Sequence, residues 1–271
     1  MASTSNTTKQ GVALITGASS GIGAVYADRL ARRGYDLILV ARDLAKLQAL
    51  AERLEKNTGR SVEFIGADLT TLDGRQRIGQ VLESDARITL LLNNAGVGAT
   101  QPLVDSDVHR LCKMVQLNVV AVTHLTRMVA PAFAARGRGT IINIASIAAL
   151  APELLNGVYA ASKAFVLSLT QSLHHELSPK GVQVQAVLPG ATSTDFWRVA
   201  GRPVEKLPQQ IVMSAEDMVD AALAGLDQGE LVTIPSLPDA ADWERMDAAR
   251  KALGPNLSHA QPAERYRAGK G

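Results

Sequence analysis

The stretch GVALITGASSGIG, Gly11 to Gly23, decides how the rest of the chain is read. It opens as a short apolar run that stops at a glycine, the look of a strand buried on both faces. Gly17 and Gly21 stand four apart and Gly21 and Gly23 two apart, so the backbone can turn sharply and approach a ligand closely. The stretch then runs into GIGAVYADRLARRG, which has helical period. A helix N-terminus offers free N–H groups and the positive end of a dipole, which suits a pyrophosphate. Gly17, Ser19, Ser20, Gly21, Ile22 and Gly23 are therefore the candidate cradle. The spacing is not G-x-G-x-x-G, and a tight turn without a ligand is the alternative.

Working outward, strand and helix patterns alternate to about residue 190. YDLILVA, SVEFIGADL, ITLLLNN, GTIINIAS and GVQVQAVLPG read as strands. Between them lie helical stretches: residues 43–59 with Asp43 as N-cap and Gly59 past the end, about 72–84, about 104–135, and 157–179. The strands are near-continuous apolar runs, as expected when helices cover both faces, and repeated βα units imply a parallel sheet. The fold class expected is α/β: a doubly wound Rossmann fold with a central parallel sheet of about seven strands. Residues 1–9 read as a disordered lead-in, 10–235 as the Rossmann-type domain with a lid loop at 193–213, and 236–271 as a C-terminal helix and tail packed on that domain.

Composition excludes several classes. Apolar residues make up 46% of the 271, enough for a large core, while the formal charge is only +2 and aromatics are 4%. There is no dense basic run with interleaved aromatics, so nucleic acid is not an expected partner. The single cysteine, Cys112, rules out a disulfide within the chain and reads as a half-buried helical thiol in a reducing compartment. The N-terminus lacks an apolar signal region, and no uninterrupted apolar run reaches the ~18 residues of a membrane span. A cytoplasmic protein without a membrane partner is the expectation. The histidines show no metal-binding spacing; His174 and His175 are adjacent and point apart on a helix, so no metal is expected.

In open α/β sheets ligands bind beyond the C-terminal strand ends. At the second such end stands LVARD, with Ala41 where an acid would hold a free ribose 2′-hydroxyl and Arg42 beside it. An arginine suits a 2′-phosphate, so NADP(H) is expected in preference to NAD(H), with Asp43 assigned to the helix cap. Asp68 and Leu69 end the third strand, facing an adenine edge, and Asn94, Ala95 and Gly96 follow the fourth. In VYAASKAF, Tyr159 and Lys163 are four apart and share a helix face: either the pair is surface decoration, or the amine is there to tune the phenol.

With the glycine turn, NNAG and YAASK in this order, the chain resembles the short-chain dehydrogenase/reductase family over roughly residues 10–235. The resemblance implies hydride transfer between a nicotinamide and a ketone or secondary alcohol, with Asn118, Ser146, Tyr159 and Lys163 as the catalytic tetrad. Tyr159 would be the acid/base, its pKa lowered from ~10 by the Lys163 charge and an oxidised nicotinamide. Ser146 would bond the oxyanion, Lys163 would also hold the nicotinamide ribose, and Asn118 would hold a relay water. Pro189, Gly190 and Thr192 match the segment beside the nicotinamide. Val97, Ile147, Leu154, Phe196 and Trp197 are the candidate substrate contacts, fitting an apolar ketone. The family's habit of pairing its two long helices leads to an expected homodimer or homotetramer. An NAD(P)-dependent dehydrogenase of a defined alcohol, such as a steroid or sugar alcohol, and a non-catalytic NADP(H) sensor are the alternatives.

Overall fold

VALIT becomes β1 (Val12–Thr16), with every residue buried. The chain then builds α1 (Gly21–Arg32), β2 (Asp36–Ala41), α2 (Leu44–Thr58), β3 (Val62–Gly66), α3 (Leu72–Ser84) and β4 (Ile88–Asn93). The computed structural model describes residues 10–267, so the expected lead-in and the last four residues lie outside the described part. All strand pairings are parallel, and the seven strands stand in the order β3-β2-β1-β4-β5-β6-β7. The remaining strands are β5 (Gly139–Ile144), β6 (Val182–Val187) and the two-residue β7 (Val232–Thr233). The order runs outward from β1 to β3 and then resumes on the other side of β1 with β4, so a crevice opens between β1 and β4.

Alternate strand residues feed two cores. Ala13 and Ile15 face Tyr26 and Leu30 of α1, Leu47 and Leu54 of α2, and Met218 and Leu223 of α8 (Ala215–Asp227). Val12 and Leu14 face the other way, toward Ile78 and Leu82 of α3 and Leu125, Val129 and Phe133 of α5 (Val122–Arg136). Leu173 and Leu177 of α6 (Gly157–Leu177) complete that second layer. Ends are set locally: Asp43 accepts from Lys46 N–H (3.1 Å), Gly59 closes α2 at φ 66°, and Ser214 accepts from Asp217 N–H (2.9 Å) to start α8.

The helix expected from about 104 starts later. Leu103–Asp105 is a 3-10 turn, and Asp107 caps α4 (Val108–Val115) by accepting from His109 N–H (2.8 Å). A π-helical turn, Gln116–Ala121, joins α4 to α5, so the helix is continuous from Val108 to Arg136. Among the described residues this is the one helix long and apolar enough, by length and composition, to cross a membrane. Charges scattered along it hide that from a count of uninterrupted apolar residues. Cys112 is exposed on α4 rather than half-buried, because Leu111 and Met114 take the inward face.

The chain divides between Pro235 and Ser236 into two compact units. The second holds α9 (Ala240–Ala252), capped by Asp239 and laced by Asp247 pairs to Arg250 (2.7 Å) and Lys251 (2.8 Å). The lid segment contributes one short helix, α7 (Phe196–Ala200).

A polar cross-tie runs through the second core. Asn93 donates to Asn143 Oδ1 (2.9 Å) and Thr126 Oγ1 (3.0 Å), and Asn143 donates to Thr170 Oγ1 (2.9 Å). β4, β5, α5 and α6 are thereby joined through fully buried groups. Asn93→Ala strips a donor from two buried acceptors, and should lower the unfolding free energy by ~1–3 kcal/mol in urea titrations with an unchanged slope.

Candidate active site

The crevice is a cleft of about 970 Å³ walled by the C-terminal ends of the strands. Its floor is the glycine turn. Gly17 has φ 65°, and a Cβ there would stand 2.8 Å from both Ala95 Cα and Asn94 Nδ2. Asn94 uses this closeness: its amide donates to Thr16 O (2.8 Å) and Gly17 O (3.1 Å). Thr16 answers, its hydroxyl donating to Leu92 O (3.2 Å) and accepting from Asn94 and Ala95 N–H (3.0 Å each). The side chain of Ser20, the N-cap of α1, makes no cap bond, so it does not occupy the N–H groups that open the helix.

The charged part of the cleft is built at the next strand ends. Arg42 lines the cleft, and so does Lys46, one helical turn further on, which the sequence reading missed. Asp68 Oδ1 accepts from Thr70 N–H (2.9 Å) and hydroxyl (2.7 Å). Burial raises the Asp68 carboxyl, but the Thr70 bonds and then the Arg42 and Lys113 charges outweigh it and hold its pKa below the usual value. Behind Leu69 lies Arg75, only 7% exposed, which donates to Leu69 O (3.1 Å) and Thr70 O (2.9 Å). A single arginine in the first turn of a helix reads as a surface charge, so no sequence signal marked it.

Ser146, Tyr159 and Lys163 line the same cleft, and so do Pro189, Gly190 and Thr192. Ser146 Oγ accepts from Ala148 N–H (3.2 Å) and donates to Pro189 O (3.5 Å), and its hydroxyl lies close enough to the Tyr159 phenol to act on it. Lys163 Nζ donates to Ile144 O (2.8 Å) and lies 5.9 Å from the Tyr159 ring centre. Burial pushes the phenol up to about 12, with the Ser146 hydroxyl acting weakly against it. Burial alone pulls the Lys163 ammonium down to about 8. The expected tuning of the phenol by Lys163 is therefore not what this geometry gives. The amine is turned toward a main-chain carbonyl, and desolvation governs both groups.

Two of the candidate residues do not line the cleft. Gly23 is buried behind the turn, where a Cβ would meet Gly17 O at 2.4 Å. Asn118 sits on the π-helical turn, 1% exposed, and clamps Val97 from both sides, accepting from its N–H (3.0 Å) and donating to its carbonyl (2.9 Å). Its amide also donates to Ser162 Oγ (3.1 Å).

Val97, Ile147, Leu154, Phe196 and Trp197 all line the cleft, with Leu155, Leu207 and Ile211 added by the structure. The Phe196 ring lies 5.7 Å from the Tyr159 ring and presses on Gly98, where a Cβ would stand 2.3 Å from its Cζ. Trp197 is nearly buried, stacked edge-on to Phe196 (5.6 Å), and donates from Nε1 to Thr192 O (3.1 Å). The lid leaves and returns through one neck: Thr192 is bridged to Met213, with Ser193 N–H on Met213 O (2.8 Å) and Met213 N–H on Ala191 O (2.9 Å).

The short chain dehydrogenase family model matches residues 11–204, and the chain belongs to that family of oxidoreductases acting on hydroxyl and carbonyl groups. A short-chain dehydrogenase from Sphingobium yanoikuyae, solved in complex with NADPH, is 49% identical, with a TM-score of 0.92 over 95% of this chain and 100% of that one. The bulky-bulky ketone specific alcohol dehydrogenase from Comamonas testosteroni is 45% identical, with a TM-score of 0.89 over 96% and 100%. Human 17-beta-hydroxysteroid dehydrogenase type 3 is 38% identical over 186 residues, 67% of this chain; the chain spans 59% of that protein's length.

The two pKa values set a pH dependence. The phenol keeps its proton up to about 12, and Lys163 is charged below about 8. For carbonyl reduction, kcat/KM should be level at neutral pH and fall as pH rises through about 8, as the ammonium loses its proton. A profile flat to pH ~10, the ordinary phenol range, would show that the ammonium charge is not used.

Proposed function

We propose that the protein is an NADPH-dependent carbonyl reductase, or alcohol dehydrogenase in the reverse direction, that takes a bulky apolar ketone or secondary alcohol. The observation that carries this reading is that Ser146, Tyr159 and Lys163 line the same cleft as the glycine turn. Residues 17–22 would hold the pyrophosphate on the α1 N-terminus, and Asp68 and Leu69 would face the adenine. Arg42 and Lys46 together favour a 2′-phosphate, and Asp43 is already bound as the α2 cap, which supports NADP(H) over NAD(H).

The nicotinamide, when bound, supplies the hydride. Tyr159 would donate its proton to the carbonyl oxygen, and a phenol held protonated suits reduction. Ser146 would hold the same oxygen, Lys163 would hold the ribose, and Asn118 would anchor a water that resupplies the proton. Val97, Leu155 and Phe196 give the substrate an apolar wall. The likeness to the bulky-ketone enzyme supports a large carbonyl substrate, and the human relative favours oxidoreduction of a steroid alcohol as the second reading.

The same reading makes the enzyme a cytoplasmic homodimer or homotetramer. Exposed Val108 on α4 and Phe165 on α6 support pairing of the long helices. The apolar face of the Val108–Arg136 helix packs on the sheet through Leu125, Val129 and Phe133, which supports a role without a membrane.

Cofactor oxidation with a panel of ketones tests the proposal. Wild type should consume NADPH faster than NADH. Tyr159→Phe should lose ~10²–10⁴-fold in turnover while still binding NADPH. A protein whose role is to sense the cofactor would be indifferent to that change. Arg42→Ala should raise KM for NADPH by about tenfold or more and leave NADH unaffected. Equal use of both cofactors by wild type would overturn the 2′-phosphate reading and leave the chemistry at Tyr159 standing.

A further inference from the structure

Asn156 does not line the cleft, yet it touches both the helix that carries Tyr159 and the segment that leads to the lid. It is 3% exposed and stands three residues before Tyr159. Its Oδ1 accepts from Val158 N–H (2.9 Å) and Tyr159 N–H (3.4 Å), capping α6. Its Nδ2 donates to Gln101 O (2.7 Å) and Ser106 Oγ (3.2 Å), and its own N–H donates to Ala99 O (3.3 Å). The amide is used at both ends, and its orientation follows from the partners: reversed, it would set N–H against N–H and oxygen against oxygen.

Capping needs only a side-chain oxygen, which serine or aspartate also has. The amide nitrogen is surplus to that task, and its bonds lead elsewhere. Between Ala99 and Gln101 lies Thr100, whose N–H (3.2 Å) and hydroxyl (2.9 Å) both donate to Ala200 O at the end of α7. A run of hydrogen bonds therefore passes from the lid at Ala200 through Thr100 and its two neighbours to Asn156, and from there to the main chain of Tyr159. α7 also carries Phe196, whose ring faces the Tyr159 ring.

We propose that Asn156 is a positioning residue that holds the Ala99–Ser106 segment, and through Thr100 the lid, in register with the first turn of the helix carrying Tyr159. A ketone placed by Val97 and Phe196 then meets the phenol at a fixed distance. A displacement of ~1 Å at a reacting centre is enough to lose ~10²-fold in rate. The proposal rests on the reductase reading for its kinetic part and on the fold alone for its mechanical part.

Asn156→Asp separates the two ends of the amide. It keeps both cap acceptors, loses both donations, and sets a carboxylate against the Gln101 carbonyl. Amide hydrogen exchange on the free protein needs no turnover. The variant should exchange faster at Thr100 and across residues 199–202, with sheet amides unchanged. In kinetics with a ketone that wild type reduces, kcat/KM should fall by about tenfold or more, at unchanged NADPH affinity. Thr100→Val, which removes only the hydroxyl bond, should fall less and add nothing in the Asn156→Asp background, because the two act in one chain. If Asn156→Asp does not fold, Ser106→Ala with Thr100→Val carries the same non-additivity test. Faster exchange confined to residues 157–161, or additive effects of the two substitutions, would reduce Asn156 to a helix cap and sink the proposal. Wild type that reduces no ketone would sink the reductase reading instead, and the exchange result would still decide the coupling.

Discussion

The whole cleft depends on the clasp between Thr16 and Asn94. The two residues end adjacent strands, β1 and β4, at the one place where the sheet order reverses. Each satisfies main-chain groups of the other's strand end: Thr16 takes two N–H groups with one hydroxyl, and Asn94 takes two carbonyls with one amide. Strand ends beside a crevice otherwise leave polar groups that only water or a ligand can satisfy. The clasp meets that need from within the protein and fixes the turn before any ligand binds. It also explains why position 17 is glycine, since Asn94 and Ala95 occupy the space a side chain would take. The Asn93 cross-tie joins the next pair of strands, β4 and β5, through Asn143.

Around Tyr159 and Lys163 the governing factor is burial. Tyr159 and Lys163 are 5% and 6% exposed, and desolvation moves both toward their neutral forms. A neutral phenol beside a hydroxyl is an acid, ready to give a proton. Making it a base for alcohol oxidation would need a positive charge brought into the cleft, because the amine already present points at Ile144 O. The lid deepens the burial: Phe196 covers the phenol, and Trp197 is tied to Thr192 rather than left free to move with a substrate.

Much of this was legible from residues alone. Continuous apolar runs such as DLILVA and TIINI announce strands covered on both faces, and the clustering of glycine, asparagine and charged residues at strand ends points to one cleft. Other features left no mark. Helical periodicity does not distinguish an α turn from the π turn that carries Asn118, since apolar spacing barely changes over six residues. Lys46 and Arg75 carry no signal in the sequence; the fold turns one into the cleft and buries the other against the Leu69 and Thr70 carbonyls. The four-residue spacing of Tyr159 and Lys163 placed them on one face correctly, but it could not say that the amine would choose a carbonyl over the phenol. Nothing in the sequence marks Asn156, because its second set of bonds depends on a segment some fifty residues away in the chain.

The neck formed by Thr192 and Met213 also bears on how such an enzyme diversifies. The lid begins and ends at the same point, so its length and composition can change without altering the spacing of the strand ends on either side. Loop-closure entropy rises only slowly with length, ~0.6 kcal/mol per doubling, so long and short versions are nearly equally tolerable. Residues 193–213 are thus anchored at one neck, with a second tie where Ala200 O accepts from Thr100. A segment of another length could be seated at the same neck, provided that it keeps a carbonyl for Thr100 and an aromatic ring against Tyr159.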